Sequence, residues 1–141
     1  MWKNPMFRTI VAIALGAIAG ALSRYYVCLG VSQIFSSEMP LGTTIVNISG
    51  CLAMGFLTTL FLGKIISIDP DFRLLLLTGF LGSYTTFSTY ELDSAKLLHQ
   101  GSLEPELFYW MGSVVFGLLS LQLGIFVAKW LLNRWQGDRS I

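Results

Sequence analysis

Four long stretches of the chain are nearly continuous runs of apolar residues, and short polar segments separate them. They cover approximately residues 8–31, 41–63, 72–98 and 107–132. A helix rises about 1.5 Å per residue, so about 20 apolar residues cross the roughly 30 Å hydrocarbon layer of a bilayer. The pattern predicts an all-α membrane protein, with four transmembrane helices forming a single domain over residues 1–141.

The third stretch is longer than one straight crossing requires, and its centre lacks the leucines of a regular spanning helix. Residues 78–90 contain two glycines and a run of small hydroxylated and β-branched side chains. Non-helical backbone at membrane depth is tolerated only where it is buried in protein or lines a wet cavity. We therefore predict a helix broken near residues 82–86, which is a candidate ion site. The alternative is a kinked helix packed against a neighbour, with Ser and Thr hydroxyls bonded to backbone carbonyls.

Several polar side chains lie inside the predicted spans. Thr43 and Asn47 are one turn apart on the second helix, and the N–H donors of Asn47 could serve either a helix neighbour or a permeating anion. Arg24, near the far end of the first helix, either reaches the membrane interface or pairs within the bundle. Tyr109 and Ser113 share a face of the fourth helix, where serines usually bond to other helices.

Small residues recur at helical spacing on the first helix, at Ala12, Gly16 and Gly20. Lys3 and Arg8 before the apolar run resemble a secretory signal, but the run continues past the small residues at which cleavage would occur. A ladder of small residues lets another helix approach closely. We therefore expect this helix to be retained, and we expect the chain to dimerise so that the ladder has a packing partner.

Composition excludes several classes of function. Charged residues make up 12% of the chain, where a soluble protein has about 25%, and the net charge of +1 offers no attraction for nucleic acid. Cys28 and Cys51 match no metal or redox spacing. No nucleophile is paired with a base and His99 is solitary, so nothing predicts an enzyme.

Acidic residues are absent from the predicted spans until Glu91 and Asp93, at the edge of the third. A proton-coupled exporter of this size needs an intramembrane carboxylate that exchanges protons against a cationic substrate. A small multidrug-type exporter is therefore a weaker alternative to a channel. A non-transporting membrane scaffold subunit is a third.

Lysine and arginine are distributed unevenly between the two sides of the predicted membrane. Seven lie on the side of the N-terminus: Lys3, Arg8, Lys64, Arg73, Lys129, Arg134 and Arg139. Two lie on the opposite side, Arg24 and Lys96. The positive-inside rule then places both termini in the cytoplasm.

Three segments, in order, resemble the Fluc (CrcB) fluoride channels of bacterial plasma membranes. They are GAIAGALSRY at 16–25, GT and VNISGC within 42–51, and GSYTTFSTY at 82–90. The match covers the first three predicted helices at full spacing and the fourth more loosely. Three such motifs in a four-helix chain of this length make the resemblance specific.

The resemblance implies a passive, fluoride-selective channel of the bacterial inner membrane that exports fluoride and relieves its toxicity. It implies an antiparallel, dual-topology dimer with two pores along the interface and a structural sodium ion at its centre, held by the backbone carbonyls of Gly82 and Thr85. The implied partners are fluoride, membrane lipid and a second copy of the chain. The implied fluoride-pore residues are Arg24, Thr43, Asn47, Thr86, Phe87, Tyr90, Tyr109 and Ser113.

Three features depart from the family pattern. Ser83 stands where a second glycine is usual, and Tyr90 replaces the usual second phenylalanine, adding a phenolic donor that could trap the ion. The excess of basic residues on one side opposes insertion in both orientations. An oppositely oriented homologue is therefore the alternative partner to a second copy. We favour the homodimer because Gly82, Thr85 and Phe87 can build a self-complementary two-fold site.

Labelling of a cysteine near the C-terminus distinguishes these assemblies. In intact cells that carry Ser140→Cys, a homodimer with dual topology predicts labelling of about half of the molecules by an impermeant thiol reagent, since opposite orientations are equally populated in it. The parent chain, which keeps Cys28 and Cys51, gives the background. Absence of labelling would mean that the chain inserts in one orientation and needs a different partner.

Overall fold

The fold was analysed in a computed structural model that describes residues 4–35, 39–63, 68–101 and 103–137. All regular structure in these ranges is helical, which confirms the predicted all-helical class. Three long helices are α1 (Pro5–Ile34), α2 (Leu41–Leu62) and α6 (Leu103–Gly137). By length and composition each of these contains a stretch able to cross a membrane.

The third predicted span is not one continuous helix. It consists of α3 (Pro70–Arg73), a π-helical segment (Leu74–Leu81), a last helical turn α4 (Gly82–Tyr84) and α5 (Phe87–His99). The π-helical segment was not predicted, since the apolar run LLLL leaves the hydrogen-bond register open to either helix type. The predicted boundaries of the first and fourth spans fall three to five residues inside the observed ones, as expected where end turns extend a helix beyond its apolar part, and those of the second agree within one residue.

The starts of α1 and α3 lie together at one end of the molecule. Asp69 caps α3 by accepting the N–H of Asp71 at 2.9 Å, and Pro70 occupies the first helical position. The Asp71 carboxylate pairs with the Arg8 guanidinium at 2.8 Å and accepts the Thr9 hydroxyl at 2.9 Å. Arg8 and the start of the third span are therefore on the same side, as the charge count assumed. Of the residues counted or named for labelling, Lys3, Lys64, Arg139 and Ser140 lie outside the described residues.

Glycines set the distance between α1 and the π-helical segment. A Cβ on Gly16 would collide with the carbonyl oxygen of Leu75, and one on Gly20 with that of Phe80. From the opposite side, a Cβ on Gly79 would lie 2.6 Å from the Ile13 carbonyl oxygen. Gly16 and Gly20 of the small-residue ladder therefore pack against the chain's own third span, so the ladder does not by itself require a second subunit and the expected dimer stays a prediction.

The helices α2 and α6 approach each other in the same way. A Cβ on Gly55 would meet the Leu121 carbonyl oxygen, and one on Gly124 would meet that of Leu52. The bundle thus combines two close glycine-mediated pairs, α1 with the π-helical segment and α2 with α6. Between them, α2 contacts the third span at the point where its helix stops.

Large apolar side chains cover the outside of this bundle. On α6, Phe108, Phe116 and Phe126 are 69%, 58% and 67% exposed. An apolar surface of this extent on the outside of long helices is expected where lipid or another subunit is the surrounding medium. The fold is that of an integral membrane protein.

The glycine packing of α1 can be tested with a matched pair of substitutions on the same helix. Gly20→Ala should lower the free energy of unfolding by about 1–3 kcal/mol, since the new methyl group forces the backbone of residue 80 away. Gly30→Ala, where no atom lies within 4 Å of the added methyl group, should be neutral or stabilising by about 0.5–1 kcal/mol. Denaturant unfolding in detergent measures both, and equal stabilities would contradict this packing.

Candidate functional site

The helical path of the third span is interrupted at Thr85 and Thr86. Both residues are extended, with φ −78°, ψ 158° and φ −152°, ψ 122°. The N–H of Thr85 still bonds to the Leu81 carbonyl at 3.1 Å, and α5 begins anew at Phe87. The hydroxyl of Thr86 caps this new helix by accepting the N–H of Thr89 at 3.2 Å.

Asn47 on α2 holds the interruption through both ends of its carboxamide. Its Oδ1 accepts the backbone N–H of Thr86 at 2.8 Å, and its Nδ2 donates to the backbone carbonyl of the same residue at 2.9 Å. The two bonds fix the orientation of the amide, because the flipped amide would set donor against donor. Asn47 therefore links α2 to the third span by two hydrogen bonds in this structure. One N–H of its Nδ2 is left for a further acceptor.

The carbonyls of Gly82 and Thr85 accept no hydrogen bond within the ranges that the structure describes. Gly82 is exposed and Thr85 half-buried. Their oxygens are neutral dipoles of the kind that ligates alkali cations, so they fit the donor set implied for a sodium ion. Two carbonyls are too few ligands for a complete site, and a second subunit would have to supply others.

A cavity of about 310 Å³ opens beside the interruption. Its lining brings together predicted site residues from three parts of the chain: Asn47, Thr85, Thr86, Phe87, Tyr90 and Ser113. The rest of the lining includes Gly50, Cys51 and Met54 of α2. Amide, hydroxyl and aromatic groups far apart in sequence thus face one space.

The aromatic pair of α5 lies at the border of this cavity. The ring centroids of Phe87 and Tyr90 are 5.8 Å apart, yet Phe87 is 73% exposed and Tyr90 only 4%. Tyr90 packs on its other side against Tyr109 of α6, with centroids 5.2 Å apart. Its hydroxyl donates to the backbone carbonyl of Trp110 at 2.9 Å. The phenolic proton therefore joins α5 to α6.

Two hydroxyls on α6 are buried without a partner in the described part of the chain. They are the phenolic oxygen of Tyr109 and the Oγ of Ser113, one turn apart as predicted. A buried hydroxyl left unsatisfied costs about 1–3 kcal/mol. The Ser113 hydroxyl therefore has donor capacity for a water molecule or an anion in the cavity that it lines, whereas the Tyr109 phenol lies close to Thr43, outside that lining.

Thr43 lies apart from this cavity, next to a second one of about 250 Å³ lined by Cys28 and Met39 among others. Its hydroxyl donates to the Asp93 carboxylate at 2.8 Å, whose other oxygen lies 3.7 Å from the Lys96 ammonium. The sequence reasoning did not assign Asp93 to the site. Its spacing of three from Tyr90 was the available signal, since it places the carboxylate on the buried face of α5.

Arg24 does not line either cavity. It is half-buried on α1 and forms no ion pair with the described residues. The two interpretations of this side chain, an interfacial anchor or a partner within a bundle, both stay open for it. The structure thus gathers most of the predicted set around the interruption, while Thr43, Tyr109 and Arg24 do not line the cavity there.

Long apolar helices around an interrupted segment, with unpartnered polar groups facing a cavity, define a polytopic membrane protein of the ion-conducting kind. Comparison with known proteins gives the family. The family model described as CrcB-like protein, Camphor Resistance (CrcB), matches residues 11–125, and the chain belongs to this family. The resemblance in the sequence motifs is thereby confirmed.

Several relatives are similar over almost their whole length. A protein of Trichormus variabilis named fluoride-specific ion channel FluC is 50% identical over 129 residues, which cover 92% of this chain and 94% of the relative. Proteins with the same name from a Synechococcus and a Synechocystis species are 48% and 44% identical, over 89% and 86% of this chain and 96% and 93% of their own.

The Tyr90 hydrogen bond can be tested by deleting one oxygen atom. Tyr90→Phe should lower the free energy of unfolding by about 0.5–1.5 kcal/mol, because the ring packing is kept and only the bond to Trp110 is lost. Tyr26→Phe is the control, since that ring is 65% exposed. Thermal unfolding in detergent compares the two. Equal effects would show that the buried hydroxyl contributes nothing specific.

Proposed function

We propose that this protein is a fluoride-selective ion channel that lets fluoride leave the cell passively across the bacterial plasma membrane and so relieves its toxicity. The observation that carries the proposal is the cavity at the interruption, where Asn47 and Ser113 face the same space as Phe87. The relatives named as fluoride-specific channels support the choice of ion.

The chemistry of the cavity suits a small, strongly hydrated anion. A pore that takes fluoride from water must offer closely placed donors in exchange. The free N–H of Asn47 and the unpartnered hydroxyl of Ser113, which both line the cavity, are such donors. The positive edge of an aromatic ring, as at Phe87, adds a further favourable contact.

The proposal includes two structural features, a third helix broken at membrane depth and a dimer. We place the interruption at residues 85 and 86 at membrane depth, where its freed carbonyls need partners. Phe87, 73% exposed in the single chain, and the exposed Gly82 then lie at the interface with a second, antiparallel copy. A two-fold axis there doubles the two carbonyls of one chain to four. A heterodimer with an oppositely oriented homologue would serve equally.

A sodium ion bound by the carbonyls of Gly82 and Thr85 would supply positive potential next to the anion path. The protein contributes by leaving these oxygens free of the backbone N–H groups that would bond to them in a regular helix. Neutral carbonyls favour a monovalent cation over calcium, whose sites use carboxylates.

A proton-coupled exporter is the second candidate, and Asp93 is the observation that favours it. Its side chain is only 14% exposed, so a carboxylate does lie within the bundle. It is, however, already bonded to Thr43 and placed near Lys96. It also does not line the cavity at the interruption, so it is not placed to exchange protons against a substrate bound there.

Fluoride efflux from loaded liposomes tests the proposal. A channel should give efflux that requires a path for compensating charge and that does not change when a proton gradient is imposed. Efflux driven by the proton gradient would support the exporter. Absence of fluoride movement by folded protein would overturn the channel and leave the exporter of a cationic substrate and the scaffold subunit.

Asn47→Asp should stop fluoride flux while the protein still folds. The carboxylate keeps the acceptor for the Thr86 N–H, but it removes the donor and adds a negative charge at the cavity. Repulsion between unit charges 4 Å apart is about 4 kcal/mol at an effective dielectric constant of about 20, enough to reduce flux more than about 100-fold. Thr59→Val on the same helix, remote from the cavity, is the control. Unchanged flux in Asn47→Asp would exclude Asn47 from the pore.

A further inference from the structure

Two N–H groups at the interruption are taken by side chains. The N–H of Thr86 is donated to Oδ1 of Asn47 at 2.8 Å, and the N–H of Thr89 to Oγ1 of Thr86 at 3.2 Å. In an uninterrupted α-helix each N–H bonds to the carbonyl four residues earlier. The regular acceptors of these two groups are therefore the carbonyls of Gly82 and Thr85.

These two carbonyls are the ones proposed to ligate the cation. Their helical donors are diverted by Asn47 and by the Thr86 hydroxyl respectively, so each oxygen stays free for another partner. We infer that Asn47 and Thr86 are positioning residues for the cation site, which they create by withholding the hydrogen bonds that would otherwise occupy its ligands. This inference rests on the proposed function.

Burial makes the diversion effective. Thr86 is only 9% exposed, so its N–H has little access to water and must find a protein acceptor. Without Asn47 Oδ1, the nearest alternative in register is the Gly82 carbonyl, which would close the helical turn. The second bond of Asn47, from Nδ2 to the Thr86 carbonyl at 2.9 Å, opposes that rotation of the peptide.

The diversion at Thr86 is independent of the one at Asn47. The Thr86 hydroxyl replaces the Thr85 carbonyl as acceptor for Thr89, and it also lies 3.0 Å from the Thr89 hydroxyl. Removal of this oxygen would return the Thr89 N–H to the Thr85 carbonyl. Each side chain thus protects a different ligand, and each can be removed separately.

The test measures sodium binding through stability rather than through flux. The melting temperature of purified protein in detergent is followed as sodium chloride replaces N-methylglucamine chloride at constant ionic strength. A ligand that binds only the folded state raises the melting temperature in a saturable way. A purely structural role for a side chain would lower the melting temperature equally in both salts.

Four variants distinguish a positioning role of Asn47 and Thr86 from a purely structural one. Asn47→Leu and Thr86→Val should each raise the half-saturating sodium concentration by about 10- to 100-fold, the usual effect of removing a group that orients a ligand. Thr86→Ser keeps an oxygen acceptor at the same place, so sodium binding should not weaken in it. Asn47→Asp keeps the acceptor for the Thr86 N–H but loses the bond to the Thr86 carbonyl, so it should weaken sodium binding less than Asn47→Leu does. Thr59→Val on α2 controls for the loss of an unrelated hydroxyl, whose bond is to the Gly55 carbonyl.

The outcomes separate this inference from the proposed function. Wild-type half-saturation in both Asn47→Leu and Thr86→Val would overturn the positioning role and leave the cation site standing. A wild-type protein that does not respond to sodium would overturn both the site and the positioning role. Fluoride efflux, measured separately in liposomes, would still decide the channel.

Discussion

The structure depends on one pair of hydrogen bonds, those between the Asn47 carboxamide and the backbone of Thr86. A helix that stops inside an apolar bundle leaves N–H and C=O groups without partners, and each costs several kcal/mol in hydrocarbon. A single amide satisfies one of each and does so from a neighbouring helix. The interruption is stable because α2 supplies its hydrogen bonds, so the two segments form one unit.

Close packing of backbones keeps this arrangement in place. Gly16 and Gly20 bring α1 onto the π-helical segment before the interruption, while Gly55 and Gly124 bring α2 onto α6. With no large side chains between the helices, dispersion contacts and short distances replace the hydrophobic effect, which gives helices little reason to associate within lipid. Gly50 of α2, where an added Cβ would collide with the Thr85 side chain, brings α2 against the interruption itself and so fixes Asn47 close to Thr86.

The proposed function requires two kinds of unpartnered polar group near each other, hydrogen-bond donors and acceptors. An anion needs unpartnered donors and a cation needs unpartnered acceptors, and both kinds of group are expensive to bury. Under the proposed function the donors would include the Ser113 hydroxyl, and the acceptors would be the carbonyls of Gly82 and Thr85. The Tyr90 hydroxyl is not among these donors, because it already bonds to the backbone carbonyl of Trp110.

The sequence by itself determined the helical membrane class, three of the four predicted spans and the region where the third one is interrupted, since apolar run lengths and the TGFLGSYTTFSTY composition are local properties. It also selected most of the side chains around the cavity, because a polar group within a span must face protein or water. Only the tertiary structure decided which partner each group takes. Asn47 bonds to Thr86 and Thr43 bonds to Asp93, pairs that lie 39 and 50 positions apart in the sequence. The glycines of α1 pack against the third span of the same chain. Helical periodicity gives the face on which a residue lies, but the pairing of faces follows from how the helices pack.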